Sequence, residues 1–237
     1  MGSALPLRLE RAGHRLDVAV HYDGISSSGL ASAVLPAPIA ELRPHVWYVD
    51  FSRIGSSDLQ PYMDRLVSAD AVVFDLRNYP RDAAPVSVLT QLLDHAEHAP
   101  WSHLAHVDGP FGLVGGSDDA GWDLEPATPR LRGRAVFLAG GNSISFADSV
   151  LGYVDEEHLG LIVGGTSAGT SGNIQAFFTP GGYYVRYTGM RVTRHDGHSR
   201  THLLGVAPDV PAEQTVAGFR AGRDEVIEKA LRAIGAD

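Results

Sequence analysis

Apolar and polar positions change rhythm several times along this chain. Residues 5–22, LPLRLERAGHRLDVAVHY, alternate on either side of AGH and predict a β-hairpin. Residues 23–44, DGISSSGLASAVLPAPIAELRP, are rich in Ser, Ala, Gly and Pro and read as a linker. From residue 45 strand-like and helix-like periods take turns. HVWYVDF (45–51) predicts a strand, and SSDLQPYMDRLVSA (56–69) a helix with Ser57 as its cap and Pro61 tolerated in the first turn. AVVFDL (71–76) and AVFLAG (135–140) are unbroken apolar runs, the pattern of parallel strands covered on both faces. APVSVLTQLLDHA (84–96) has helical period, HLAHV (103–107) predicts a short strand, and the acidic, Gly- and Pro-rich residues 108–133 read as a long surface loop.

Beyond residue 140 the alternation continues. Phe146, Val150, Tyr153 and Val154 recur at the spacing of one helical face. LGLIVG (159–164) predicts a strand, GTSAGTSGN (165–173) a glycine-rich loop, and IQAFFT and YYVRYT a hairpin around PGG. MRVTR adds a strand, and RDEVIEKALRAIG closes the chain as an amphipathic helix ended by Gly235. The expected fold class is α/β, a mostly parallel sheet covered by helices, preceded by an N-terminal β-hairpin. There is no internal repeat.

Composition narrows the function. The chain has 237 residues, 44% of them hydrophobic, enough for one substantial core or one core and a small appendage. The net charge is −9 and Lys229 is the one lysine, which disfavours a nucleic-acid partner. The lack of cysteine excludes disulfides, thiol catalysis and cysteine-ligated zinc, and assigns no compartment. No apolar run is long enough to span a bilayer, and MGSALPLRLERAG lacks the apolar core of a signal peptide. A leader removed ahead of MGS would fit an extracytoplasmic protein, so localisation stays open.

Candidate chemistry centres on AGGNSISFADSVLGYV (139–154), where a strand, a Gly-Gly turn and a helix follow one another. A serine there, Ser143 or Ser145, is either a helix cap or a nucleophile lying at free backbone N–H groups. Local sequence alone favours the cap.

Five segments in order resemble one family: VVFDLRNYP, NSISFADS, LGLIVGGTSAGTSGNIQ, LLGVAPDV and RDEVIEKAL. The family is that of the tail-specific, or C-terminal processing, serine proteases, which includes the tricorn core. The resemblance implies a ClpP/crotonase-like α/β core over residues 45–237. It makes residues 1–22 similar to the last hairpin of a PDZ module, with 23–44 as linker. It implies Ser145 as nucleophile, the Phe146 N–H as oxyanion donor, and the position of Arg81 as the second donor, where the family has glycine. The family's lysine falls at Thr170 or Ser171, neither of which is a base, while Gln175 matches the glutamine that supports that lysine. The proton acceptor is then expected to be a histidine, with His202 first and His45 second. Asp75 and Arg77 read as a salt bridge anchoring their loop. Gly165, Thr166, Ser167, Gly169, Thr170 and Ser171 read as a cleft wall that pairs with an extended peptide.

TRHDGHSRTH gathers His195, Asp196, His198 and His202, but HDG breaks any helix that would align them, and no metal is expected there. The glycine-rich loop lacks a P-loop lysine and Rossmann spacing, so no cofactor is expected. The expected function is a serine endopeptidase acting on extended or unfolded peptide, with a homo-oligomer left open. The alternative is an inactive homologue that binds peptides or apolar ligands. A crotonase-type isomerase shares only the architecture.

Overall fold

A computed structural model describes residues 3–22, 35–108, 112–197 and 201–236. The chain divides into two compact units, Met1–Leu35 and Pro36–Asp237. In the first unit β1 (Ser3–Arg11) pairs antiparallel with β2 (His14–Tyr22), from Ser3↔Tyr22 to Arg11↔His14. Ala12 and Gly13, with φ of 52° and 78°, make the turn, and two successive positive φ values suit the right-handed twist of a hairpin. Alternation puts Leu5, Leu7 and Leu9 on one face with Leu16, Val18 and Val20. Residues 23–34 of the expected linker lie outside the described residues.

The second unit holds the other elements. They are β3 (Ile39–Arg43), β4 (Val46–Asp50), α1 (Ser56–Leu59), α2 (Met63–Val67), β5 (Ala71–Asp75), α3 (Ala84–Leu92), β6 (Ser102–Asp108), β7 (Leu113–Ala120) and β8 (Arg134–Ala139). Then follow α4 (Phe146–Glu156), β9 (Leu161–Gly164), β10 (Ile174–Phe178), β11 (Tyr184–Thr188), β12 (Arg191–Val192), β13 (Val210–Pro211), α5 (Val216–Arg220) and α6 (Glu225–Ala233). Six strands form the main sheet in the order β13-β9-β8-β5-β4-β3. All its pairs are parallel except β3 with β4. Among the described residues no helix is long and apolar enough to cross a membrane.

Alternate side chains of the central strands feed two cores. Trp47, Val49, Phe51, Val72, Phe74 and Phe137 pack under α1 to α4, and the Phe51, Phe74 and Phe137 rings stack at 5.6 and 5.2 Å. Tyr48, Val73, Val136, Leu138 and Val163 pack on the other face against Val226, Ile227, Ala230 and Leu231 of α6. Burial on both sides is why these strands read as unbroken apolar runs.

Two expectations are corrected. Residues 39–43, read as linker, form the edge strand β3, with an irregularity between Glu41 and Arg43. Residues 113–120, read as loop, form β7 against β6. In both, the partner strand supplies the order that the segment's own composition does not signal. The helix expected over 56–69 is split by a 3₁₀ turn at Gln60–Tyr62, where Pro61 sits, and its cap is Gly55 rather than Ser57.

The loop after β5 is anchored as expected. The Arg77 guanidinium lies 2.6 Å from Asp75 and 2.8 Å from Asp224, and the Tyr48 hydroxyl donates to Asp75 at 2.7 Å. Burial acts to lower the Arg77 pKa, but Asp75 and Asp224 outweigh it and raise it. Asp224 also caps α6 by accepting from the Val226 and Ile227 N–H groups. Arg77→Met would leave two buried carboxylates unpaired, so it is expected to destabilise the fold by about 3–5 kcal/mol in urea unfolding.

Candidate active site

Strand β8 delivers the chain to the C-terminal edge of the sheet, where Gly140 and Gly141 turn it. Ser143 is fully buried there, and its Oγ donates to the Leu76 carbonyl at 2.7 Å and accepts from the Gly140 N–H at 3.0 Å. It staples this turn to the end of β5. Ser145 precedes α4 with φ 52° and ψ −106° and makes no side-chain cap hydrogen bond. Among the described residues none hydrogen-bonds to its Oγ. The hydroxyl therefore does no capping and is left free, in a backbone region that L-residues avoid.

The N-terminal turn of α4 is clamped by Asp148, 3% exposed. Its carboxylate accepts from the Thr170 N–H at 2.6 Å, from the Thr170 hydroxyl at 3.4 Å and from the Ser167 hydroxyl. Ser167 Oγ in turn accepts from the Val206 N–H at 2.7 Å. Thr170 Oγ1 accepts from the Ser145 N–H at 3.1 Å. Thus one residue of the expected lysine position does meet Ser145, as a hydroxyl. Lys229 lies on α6, across the sheet from α4.

Ser145 opens into a cleft of about 440 Å³. Ser145, Phe146 and Ser149 form its floor, Tyr79, Trp101 and Trp122 one side, and Gly172, Asn173 and Met190 another. Trp122 packs edge-on to Phe146 at 5.5 Å and stacks on Tyr153 at 5.0 Å, and Trp101 Nε1 donates to the Tyr153 hydroxyl at 2.7 Å. The cleft is therefore walled by rigid aromatics beside a helix N-terminus, and the Phe146 N–H makes no hydrogen bond within the described residues. This can bind an extended apolar-flanked chain and stabilise an oxyanion.

The other expected residues fall as follows. Arg81 supplies no donor here. Its N–H is taken by the Phe51 carbonyl at 2.8 Å and its side chain pairs with Asp58 at 3.2 Å. Its neighbour Asp82 accepts from the Ser56 and Ala84 N–H groups, which fastens the loop to α1. His45 immediately precedes β4, whose first residue Val46 is level with Ala71 and Arg134, while Ser145 follows the C-terminal end of β8. The two lie at opposite ends of the sheet, so His45 is not brought to Ser145.

His202 lies closer. Gly169 and Gly205, both with positive φ, let two loops touch backbone to backbone, where a Cβ on either would meet main chain at 2.7 and 2.3 Å. The Leu203 N–H donates to the Gly169 carbonyl at 2.7 Å, and His202 Nδ1 lies 3.2 Å from the Ser171 carbonyl. A carbonyl only accepts, so Nδ1 carries the hydrogen and Nε2 is the basic nitrogen. His202 and Gln175 are brought together, but in a neighbouring hollow of about 640 Å³. Met190 lines both hollow and cleft.

Of the expected cleft wall, Gly165, Thr166, Ser167 and Gly169 are not in the cleft. Ser167 and Thr170 are committed to Asp148, and Ser171 lines a small cavity beneath α4. The wall begins one step later, at Gly172 and Asn173. Sequence reasoning missed Tyr79, Trp101, Trp122 and Asp148. The signal was there for the tryptophans, since large aromatics in segments without period seldom lack a surface to line. His198 lies outside the described residues.

The strand-to-helix serine and the loop around Asp148 fall within one matched region, while Tyr79 and Trp101 of the cleft lie before it. Residues 103–212 match the model of peptidase family S41. This agrees with the family that the five motifs resemble. The fold is similar to a candidate peptidase from Parabacteroides merdae, with TM-score 0.69 and 18% identity over 86% of this chain and 67% of that one. It is similar to mature CPAF complexed with lactacystin, with TM-score 0.68, 13% identity and coverage of 100% and 67%. It is also similar to the photosystem II D1 C-terminal processing protease, with TM-score 0.54, 19% identity and coverage of 100% and 61%. The chain thus spans about two thirds of the length of these structures. No curated protein matches it in sequence.

If the Ser145 backbone is strained for function, relaxing it stabilises the protein. Ser145→Gly is expected to raise unfolding free energy by about 1 kcal/mol, relief of local strain exceeding the extra entropy of glycine. Urea denaturation of the two proteins measures it.

Proposed function

We propose that the protein is a serine peptidase that cleaves extended or unfolded peptide at Ser145. The observation that supports this most is the serine itself, with an uncapped hydroxyl, a positive φ and a place at a helix N-terminus facing an aromatic cleft. In this reading Ser145 Oγ attacks the scissile carbonyl carbon while its proton passes to His202 Nε2. A water between the cleft and the adjoining hollow carries that transfer past Met190. The Phe146 N–H holds the oxyanion. The tetrahedral intermediate collapses, the C–N bond breaks, and the imidazolium returns the proton to the leaving amine. Water then resolves the acyl-enzyme by the same route.

A second reading has its own supporting observation. The residue beside Ser145 is Thr170, a hydroxyl where the family carries a lysine, and no base hydrogen-bonds to Ser145 within the described residues. On that reading the cleft binds peptide without cutting it.

A fluorophosphonate probe separates the two. Peptidase function predicts covalent labelling of the parent protein near neutral pH and none of Ser145→Ala. No labelling of the parent points to the binding protein. His202→Ala is expected to slow labelling by about 10²-fold or more, the lower range for loss of a general base. His45→Ala is expected to label like the parent. Equal labelling of parent and His202→Ala removes His202 from the mechanism.

A further inference from the structure

At the far end of α4 from Ser145, about three turns away, two histidines and three glutamates from separate segments converge. His95 Nε2 lies 3.1 Å from Glu157 Oε2, and His195 Nδ1 lies 3.2 Å from Glu157 Oε1 and 3.7 Å from Glu97 Oε1. The ligand atoms of His95, Glu97 and Glu157 all lie within 4.8 Å of one another. We propose that His95, Glu97, Glu157 and His195 form a binding site for a divalent transition cation, for which zinc is the fitting probe.

Four observations carry the assignment. The donor set is imidazole and carboxylate, which suits zinc. Zinc–ligand bonds of about 2.0–2.1 Å set ligand atoms about 3.3 Å apart in a tetrahedron, and the two imidazoles lie 3.1 and 3.2 Å from the two oxygens of Glu157, near that spacing. Asp94 Oδ1 lies 2.7 Å from His95 Nδ1, the outer carboxylate that orients a metal-bound imidazole and leaves Nε2 to face the cation. Charge balance also asks for a cation. Glu97, Glu156 and Glu157 have side chains only 12–13% exposed, at the negative end of α4, and among the described residues their partners within ion-pair distance are imidazoles alone.

The segments are also held in place without a metal. Glu97 exchanges backbone hydrogen bonds with Leu124, and the His195 N–H donates to Glu156 at 2.6 Å. The His195 ring packs on Tyr153 at 4.8 Å. A cation here would join the chain before Trp101, the end of α4 and the chain after β12. It would act on the cleft by stiffening its walls, and takes no part in the chemistry at Ser145. The sequence expectation of no metal rested on the 193–202 stretch alone. Three of the four ligands lie elsewhere in the chain.

The test uses the full chain stripped with EDTA and dialysed against zinc chloride. One zinc per chain and a Tm that climbs with zinc concentration are expected, as for any ligand bound only by the folded state. His95→Ala and Glu157→Gln are each expected to weaken uptake by more than about tenfold and to abolish the zinc-dependent rise in Tm. His202→Ala, outside the cluster, is expected to bind zinc like the parent. Should Glu157→Gln fail to fold, the exposed His95 position decides, together with the visible ligand-field absorption of four-coordinate Co²⁺ in the parent. Uptake well below one per chain, or uptake unchanged in His95→Ala, overturns the site and leaves the cluster as histidines held by glutamates.

Discussion

One buried carboxylate organises the candidate site. Asp148 stands on the first turn of α4 and collects Ser167 and Thr170 from a loop that has no regular structure of its own. That loop is glycine-rich, so its backbone entropy must be offset by particular contacts rather than by a ladder. The same contact places the Thr170 hydroxyl under the Ser145 N–H. The serine conformation, the cleft wall at Gly172 and Asn173, and the placement of His202 through Gly169 all follow from it. A carboxylate at this point also suits the positive end of the helix.

Much of the architecture was legible because the physics is local. Unbroken apolar runs at 71–76 and 135–140 announce strands covered on both faces, and the 3.6-residue period announces α4 and α6. Strands β3 and β7 were not legible, since their order comes from β4 and β6 across the sheet. At the site the candidate strand-to-helix turn was legible from a strand, two glycines and a helical period. The choice between Ser143 and Ser145 was not. It turns on which hydroxyl meets the Leu76 carbonyl, a contact between positions 67 residues apart. Arg81 was read from its place in a motif, and a motif does not reveal that Phe51 has already taken the N–H.

The chain shares its fold with the protease structures it resembles and carries a hydroxyl, Thr170, beside Ser145. Ser171, which neighbours Thr170, carries the carbonyl that meets His202 Nδ1. That carbonyl fixes the His202 tautomer, since it can only accept.

The borders of the main sheet carry a further consequence. On one side it ends in β13, two residues long and closed by Pro211, whose nitrogen has no hydrogen to offer. On the other it ends in β3, where the irregularity at Glu41 and Arg43 interrupts the ladder. Neither margin offers a flat row of open amides and carbonyls for another chain to zip onto. The main sheet is thereby protected at both margins from templating aggregates.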